Sequence, residues 1–199
     1  MKPILFTTLM VQAILQGSKS QTRRIIKPQP ISDFDSGPVI VNTISPQSIT
    51  HTEELPKYAR YQVGNILWVR ETFIETFSID DKIYYEYKAD YSDTMADEVA
   101  WKPSIFMPKA AARIFLEVTR VRAERLQDIS EKDALAEGVE LQLPSHLFKN
   151  YRPGTEPKEG FSMPFSSYET LWRQLNGGES WNSNPWVWVY EFKLMNYPL

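Results

Sequence analysis

Between two apolar segments the chain runs Gly17-Ser18-Lys19-Ser20-Gln21-Thr22-Arg23-Arg24, which sets a lysine, a threonine and two arginines in one polar stretch. A lysine three residues before a threonine can bring an amine beside a hydroxyl and activate a nucleophile without histidine or metal. For that, the Lys19 amine must lose its proton near neutral pH, which burial or the charges of Arg23 and Arg24 would promote. The guanidinium groups themselves suit a phosphate or carboxylate held bidentately. The same eight residues also fit a solvated basic turn, in which Lys19 stays charged and Thr22 bonds nearby backbone.

Absent residue types narrow the chemistry further. The chain has no cysteine, which removes disulfides, thiol nucleophiles and thiolate metal sites together. Its two histidines, His51 and His146, lie far apart in loop-like stretches. Neither a zinc site nor a Ser-His-Asp triad is expected from them, and no metal or cofactor is called for. Catalysis would fall to Lys, Glu, Asp, Thr, Ser or Tyr. No apolar run reaches the length of a membrane span, and the start of the chain is too short an apolar stretch for a secretory signal, so a cytoplasmic protein with no membrane partner is expected.

With 42% hydrophobic and 13% aromatic residues among 199, the chain can bury a substantial core. Its net charge of -3 argues against indiscriminate coating of nucleic acid. The charge is unevenly placed. Residues 1–30 hold five bases and no acid, residues 31–99 carry a net of -8, and residues 100–125 return to +4. If the two basic segments meet, they form one positive face on an acidic body, suited to a local anionic ligand more than to a long duplex.

The elements that must position these groups follow from the pattern. Residues 3–8 read as an extended start, and Met10–Leu15 has helical spacing stopped by Gly17. Strands are expected at 66–73, 83–88, 112–122 and 185–193. Ser130 is placed to cap a helix running to about Glu137, with Asp133 completing a capping box and Gly138 ending it. A further helix begins at Ser166 or Ser167 and ends at Gly177-Gly178. The segments 28–58, 73–110 and 141–164 are polar or proline-marked and read as insertions into one domain spanning residues 1–199. The fold class expected is α+β, a small mixed or antiparallel β-barrel with short flanking helices and long loop insertions.

Four pieces then stand in order: Gly17-x-Lys19-x-x-Thr22-x-Arg24, Gly64-Asn65-Ile66-Leu67-Trp68-Val69, Leu126-Gln127-Asp128-Ile129-Ser130-Glu131-x-x-Ala134-x-x-Glu137-Gly138, and Trp188-Val189-Tyr190-Glu191-Phe192. In these the chain resembles the ASCH domain of the PUA-like superfamily, and most of all the longer ASCH-like proteins of tailed phages and prophages. The resemblance implies a β-barrel with a cleft beside the Lys19–Thr22 turn and a partner that is a nucleoside or single-stranded RNA. A bacterial branch of the family removes the acetyl group from N4-acetylcytidine. Carried over motif by motif, its catalytic set is Lys19, Thr22 and Glu137, with Thr22 as nucleophile. The insertions depart from the family by roughly doubling the domain, and Asn65 stands where aspartate is common.

Around that set, Arg23, Arg24, Trp68 and Glu71 are the candidate substrate-binding residues. Arg24 would hold a phosphate or a base carbonyl, whereas Glu71 serves equally as an ion-pair partner of Arg70 or Arg24. Tyr61, Trp68, Trp101, Phe106 and Trp186 are candidates to stack on a base, although alternating aromatics on strands also describe core. The expected activity is a metal-free amidohydrolase acting on N4-acetylcytidine or a related acylated nucleoside. The alternative is a non-catalytic module, phage-borne or not, that binds RNA or a modified base.

Overall fold

Runs of β-branched and aromatic residues become strands, and the stretches between them supply helix caps and turns. In the computed structural model, which describes residues 1–33, 37–39, 55–77, 82–92, 99–156 and 159–196, the chain begins with β1 (Lys2–Leu5), α1 (Thr8–Leu15) and β2 (Gln21–Ile25). The short pair β3 (Ile31–Asp33) and β4 (Gly37–Val39) follows, then β5 (Ile66–Arg70), β6 (Phe73–Phe77) and β7 (Ile83–Tyr87). The second half holds β8 (Phe115–Arg125), α2 (Glu131–Ala136), β9 (Leu141–Gln142), β10 (Leu147–Lys149) and β11 (Gly160–Phe161). It closes with α3 (Pro164–Asn176), α4 (Gly178–Asn182) and β12 (Trp186–Leu194).

The main sheet has five strands in the order β1-β5-β8-β12-β2. β1 runs parallel to β5, and the other three pairs are antiparallel. Alternation along β12 sends Trp188, Tyr190 and Phe192 into a core shared with Ile4, Phe6 and the α1 residues Val11 and Ile14. Val187 and Val189 point the other way, into a core with Tyr168, Leu171 and Trp172 of α3. β12 is thus apolar on both faces because each is covered by a helix. Each of its buried side chains contributes roughly 1.5–3 kcal/mol, so β12 anchors both cores. A third cluster joins Trp68, Phe73, Met107 and Phe115 at one end.

The molecule is mixed α+β, as the pattern indicated, but among the described residues its sheet does not close. β1 and β2 are its two edges, and no backbone ladder joins them. The edges are linked instead by a side chain, Arg24 Nη2 of β2 donating to the Leu5 carbonyl at 2.7 Å. The gap beneath that link opens into a cavity.

Local signals fare unevenly. α1 ends before Gly17 at φ +77, and Ser130 Oγ accepts from the Asp133 amide at 3.1 Å to start α2, which Gly138 follows at φ +86. α3 starts at Pro164 instead of Ser166 or Ser167, because proline suits the first helical turn and the Ser167 hydroxyl donates to the Lys149 carbonyl. The Gly177-Gly178 stop is followed at once by α4, which the sequence reading did not include. The strand expected at 66–73 breaks after Arg70, and Phe73 opens a hairpin of β6 with β7. The strand expected at 112–122 lies at Phe115–Arg125. The stretch 141–164, read as an insertion, carries the sheet β9-β10-β11 and gives Tyr151 to the core. Much of the 28–58 stretch, His51 included, lies outside the described residues; His146 is exposed between β9 and β10. Among the described residues no helix is long and apolar enough to cross a membrane.

Candidate functional site

The loop before β2 is fixed by backbone before its side chains act. The Lys19 amide donates to the Ala13 carbonyl of α1 at 3.0 Å, the Ser20 amide to the Ala136 carbonyl of α2 at 2.8 Å, and Lys19 and Glu137 form an isolated antiparallel bridge. Gly138 is required there twice over. Its φ is +86, and a Cβ would stand 2.8 Å from the Cβ atoms of both Ala13 and Lys19. The loop, α1 and the end of α2 therefore hold one another in place.

Lys19 is folded inward on that frame. Its Nζ donates to the Glu137 carbonyl at 2.7 Å and to Glu137 Oε2 at 2.9 Å. Glu137 Oε1 accepts from Arg23 Nη1 at 2.9 Å, so one carboxylate bridges two cations. Lys19, Arg23 and Glu137 are 3%, 4% and 3% exposed, which makes this a desolvated network, where removing one partner costs far more than at a surface. Behind it Arg23 also bonds Glu124, and Arg122 ties together Glu124, Asp133 and Glu191. Burial, the largest effect, pushes the Lys19 amine below the ordinary lysine value, and Glu137 opposes it.

Strand alternation puts Thr22 and Arg24 on one face of β2 and Gln21 and Arg23 on the other, with Thr22 opposite Tyr190 and Arg24 opposite Trp188. Because β2 is an edge strand, side chains of both faces reach the gap between the sheet edges. A cavity of about 690 Å³ fills that gap. Thr22, Arg23, Arg24 and Glu137 line it, with Phe6, Tyr168 and Trp172 as aromatic walls. Among the described residues the Thr22 hydroxyl makes no hydrogen bond, to Lys19 or to any other group. Arg24 lies over the Phe6 ring at 5.3 Å, and burial lowers its pKa from the ordinary arginine value.

A larger cavity, about 790 Å³, lies on the far side of Glu137, between α1 and the β9–β10 region. Its walls include Leu9, Leu135, Val139, Leu141 and Phe148, and of the candidate residues only Glu137 reaches it. The candidate residues therefore gather at the smaller of the two cavities.

The structure thus brings Thr22, Arg23, Arg24 and Glu137 to one cavity, with Lys19 one hydrogen bond behind its wall. Trp68 and Glu71 do not line it. Trp68 is buried in the third core cluster beneath the Arg70 guanidinium. The Glu71 carboxylate is gripped by Arg113 at 2.9 and 3.0 Å, and burial raises its pKa despite that pair. Its neighbour Thr72 lines the cavity instead. Of the aromatic candidates, Tyr61 is buried against Tyr190, Trp101 packs on Tyr91, Phe106 is exposed and Trp186 lies under Arg125, so none forms a wall. Phe6, Tyr168 and Trp172 take that place. The four-residue spacing of Tyr168 and Trp172 on α3 was the signal for a shared face, but the same spacing describes core.

Compared with models of protein families, with curated proteins and with solved structures, the chain matches none. The site's own groups carry its chemistry. Among the described residues they comprise a hydroxyl without a hydrogen-bond partner, a buried amine of lowered pKa and a carboxylate touching both amine and cavity, groups whose types can serve as nucleophile, base and positioning carboxylate. Among the described residues no group of three or more His, Asp or Glu side chains could hold one metal ion.

Proposed function

We propose that this chain is an ASCH-like member of the PUA-like superfamily that hydrolyses the N4-acyl amide of an acylated cytidine. The observation that carries the reading is Glu137, which holds the buried Lys19 amine while lining the same cavity as the unbonded Thr22 hydroxyl. Thr22 Oγ attacks the acyl carbon, and its proton passes to the neutral Lys19 amine. The carbon–nitrogen bond then breaks, the departing N4 amine takes that proton, and water hydrolyses the threonyl ester. Lys19 has to exchange one of its Glu137 hydrogen bonds for one to Thr22, a tightening that catalytic groups commonly make only with substrate bound. The aromatic walls Phe6, Tyr168 and Trp172 suit the faces of a base.

The experiment is direct. Purified protein mixed with N4-acetylcytidine releases cytidine, followed by chromatography, and Lys19→Ala, Thr22→Ala and Glu137→Ala each lose the activity. A wild-type protein that yields no cytidine removes this reading. The second reading, a module that binds a modified base or RNA without turning it over, is favoured by the engagement of Lys19 with Glu137 instead of Thr22. It is separated by binding of the intact acylated nucleoside without product.

A further inference from the structure

The cavity carries more positive charge than its network neutralises. Arg23 is paired with Glu137 and Glu124. Arg24 and Lys27 line the same cavity, and neither has a carboxylate partner among the described residues. Arg24 uses one N–H on the Leu5 carbonyl, leaving the rest of its planar fork free. An arginine partly withdrawn from water with most donors unused is costly unless a ligand completes it.

Three further observations point the same way. Thr8, Thr72 and Ser104 line this cavity, and none of their hydroxyls makes a hydrogen bond among the described residues. The N-terminus of α1 also opens here, with no acidic side chain in its first turn to offset the positive end of the helix. The bases of the 100–125 segment, by contrast, are largely neutralised where they stand. Lys102 pairs with Glu75, Arg113 with Glu71 and Asp90, Arg120 with Glu191, and Arg122 with three acids. The two basic segments therefore do not fuse into a broad positive face. Arg24 and Lys27 thus bring uncompensated charge to one concave site on a chain of net charge -3.

We propose that the cavity takes a phosphorylated nucleoside, a mononucleotide whose phosphate monoester is held by Arg24 and Lys27, in preference to the free nucleoside or a long single strand. A long polyanion has to approach a chain of net charge -3, whereas a monophosphate meets only the cations of the cavity. A dianionic phosphate fits the Arg24 fork bidentately, and Lys27 supplies a second, flexible charge. The cavity volume lies within the range that encloses small ligands. This inference rests on the cavity being the nucleoside site and names the form of that ligand.

The test uses cytidine, cytidine 5′-monophosphate and a short oligocytidylate, none of which carries an acyl group, so its outcome is independent of hydrolysis. Titration calorimetry on the full chain is expected to show the monophosphate binding at least about tenfold tighter than cytidine. The oligomer is expected to bind no tighter than the monophosphate. Arg24→Gln and, separately, Lys27→Gln bring the monophosphate-to-cytidine ratio down towards one. Lys27 is exposed, so its variant stands even if loss of the Arg24–Leu5 link unsettles the fold. Equal affinity for cytidine and its monophosphate, no measurable binding of the monophosphate, or tighter binding of the oligomer overturns the proposal. Monophosphate preference without deacylation of N4-acetylcytidine would leave this site standing and remove the hydrolase reading alone.

Discussion

Lys19 and Glu137 lie 118 residues apart in sequence, yet one ammonium reaches both the backbone carbonyl and the carboxylate of the other residue. Since Arg23 holds the second carboxylate oxygen but keeps Glu124 as a partner, deleting Glu137 leaves the buried Lys19 without a counter-charge and strips Arg23 of one of its carboxylates. Glu137→Ala is therefore expected to lose about 3–5 kcal/mol of stability. Adding Lys19→Met to that variant removes the orphan charge and recovers part of the loss. Urea unfolding of the single and double variants checks this. A Glu137→Ala variant within about 1 kcal/mol of wild type would show that the network is solvated after all.

Thr22 separates stability from chemistry. It is 1% exposed, but its hydroxyl has no hydrogen-bond partner among the described residues. Replacing it with valine therefore strands no other group and should alter stability by no more than about 1 kcal/mol. Turnover of N4-acetylcytidine should fall by about a hundredfold or more, and Thr22→Ser should restore much of it. Retained turnover in a folded Thr22→Val protein excludes this hydroxyl as the nucleophile.

Gly138 offers a test of how the loop is positioned. An alanine there brings its Cβ to 2.8 Å from Ala13 and Lys19 at a φ of +86, and the atoms it meets are the short Cβ stems of both residues. Strain and displacement together should cost roughly 1–3 kcal/mol or more. Because Lys19 is what moves, activity should drop further than the unfolding midpoint alone explains. Gly64→Ala is the control: its φ of +81 carries the backbone penalty with open space around the new methyl. Equal losses from both substitutions would count against the packing role given to Gly138.

What the sequence conveyed and what it withheld divide along physical lines. The α2 cap at Ser130, its stop at Gly138 and the stop of α1 at Gly17 were readable because each is decided within a few residues. The association of Lys19, Thr22 and Glu137 came from motif order, and nothing local to Glu137 announces that its carboxylate turns inward to meet two cations. Glu71 was misplaced for the converse reason. A carboxylate after Arg70 has several arginines to choose from, and Arg113, far along the chain, is the one the fold delivers. The open edge between β1 and β2 was invisible as well. Closure of a barrel depends on long-range pairing, and here Arg24 occupies the place of a backbone ladder.

Alkaline pH should act on stability in two opposite ways. Lys19 has a folded-state pKa below its ordinary 10.5. Between that lowered value and 10.5 the unfolded chain binds the extra proton, so stability rises with pH across the window. Tyr151 and Tyr190 are raised from 10.0 to about 12, with burial the main cause in both. Their contribution is complete below pH 10. It is lost as pH climbs towards 12, because the unfolded phenols ionise first. Each such shift corresponds to somewhat over 2 kcal/mol as an order of magnitude. Urea unfolding across this range should therefore show stability climbing on the way to pH 10 and falling steeply beyond it. In Lys19→Met the climb should disappear while the fall remains. A climb of unchanged size in that variant would mean that Lys19 titrates as an ordinary solvated lysine, and the neutral amine on which Thr22 depends would be lost with it.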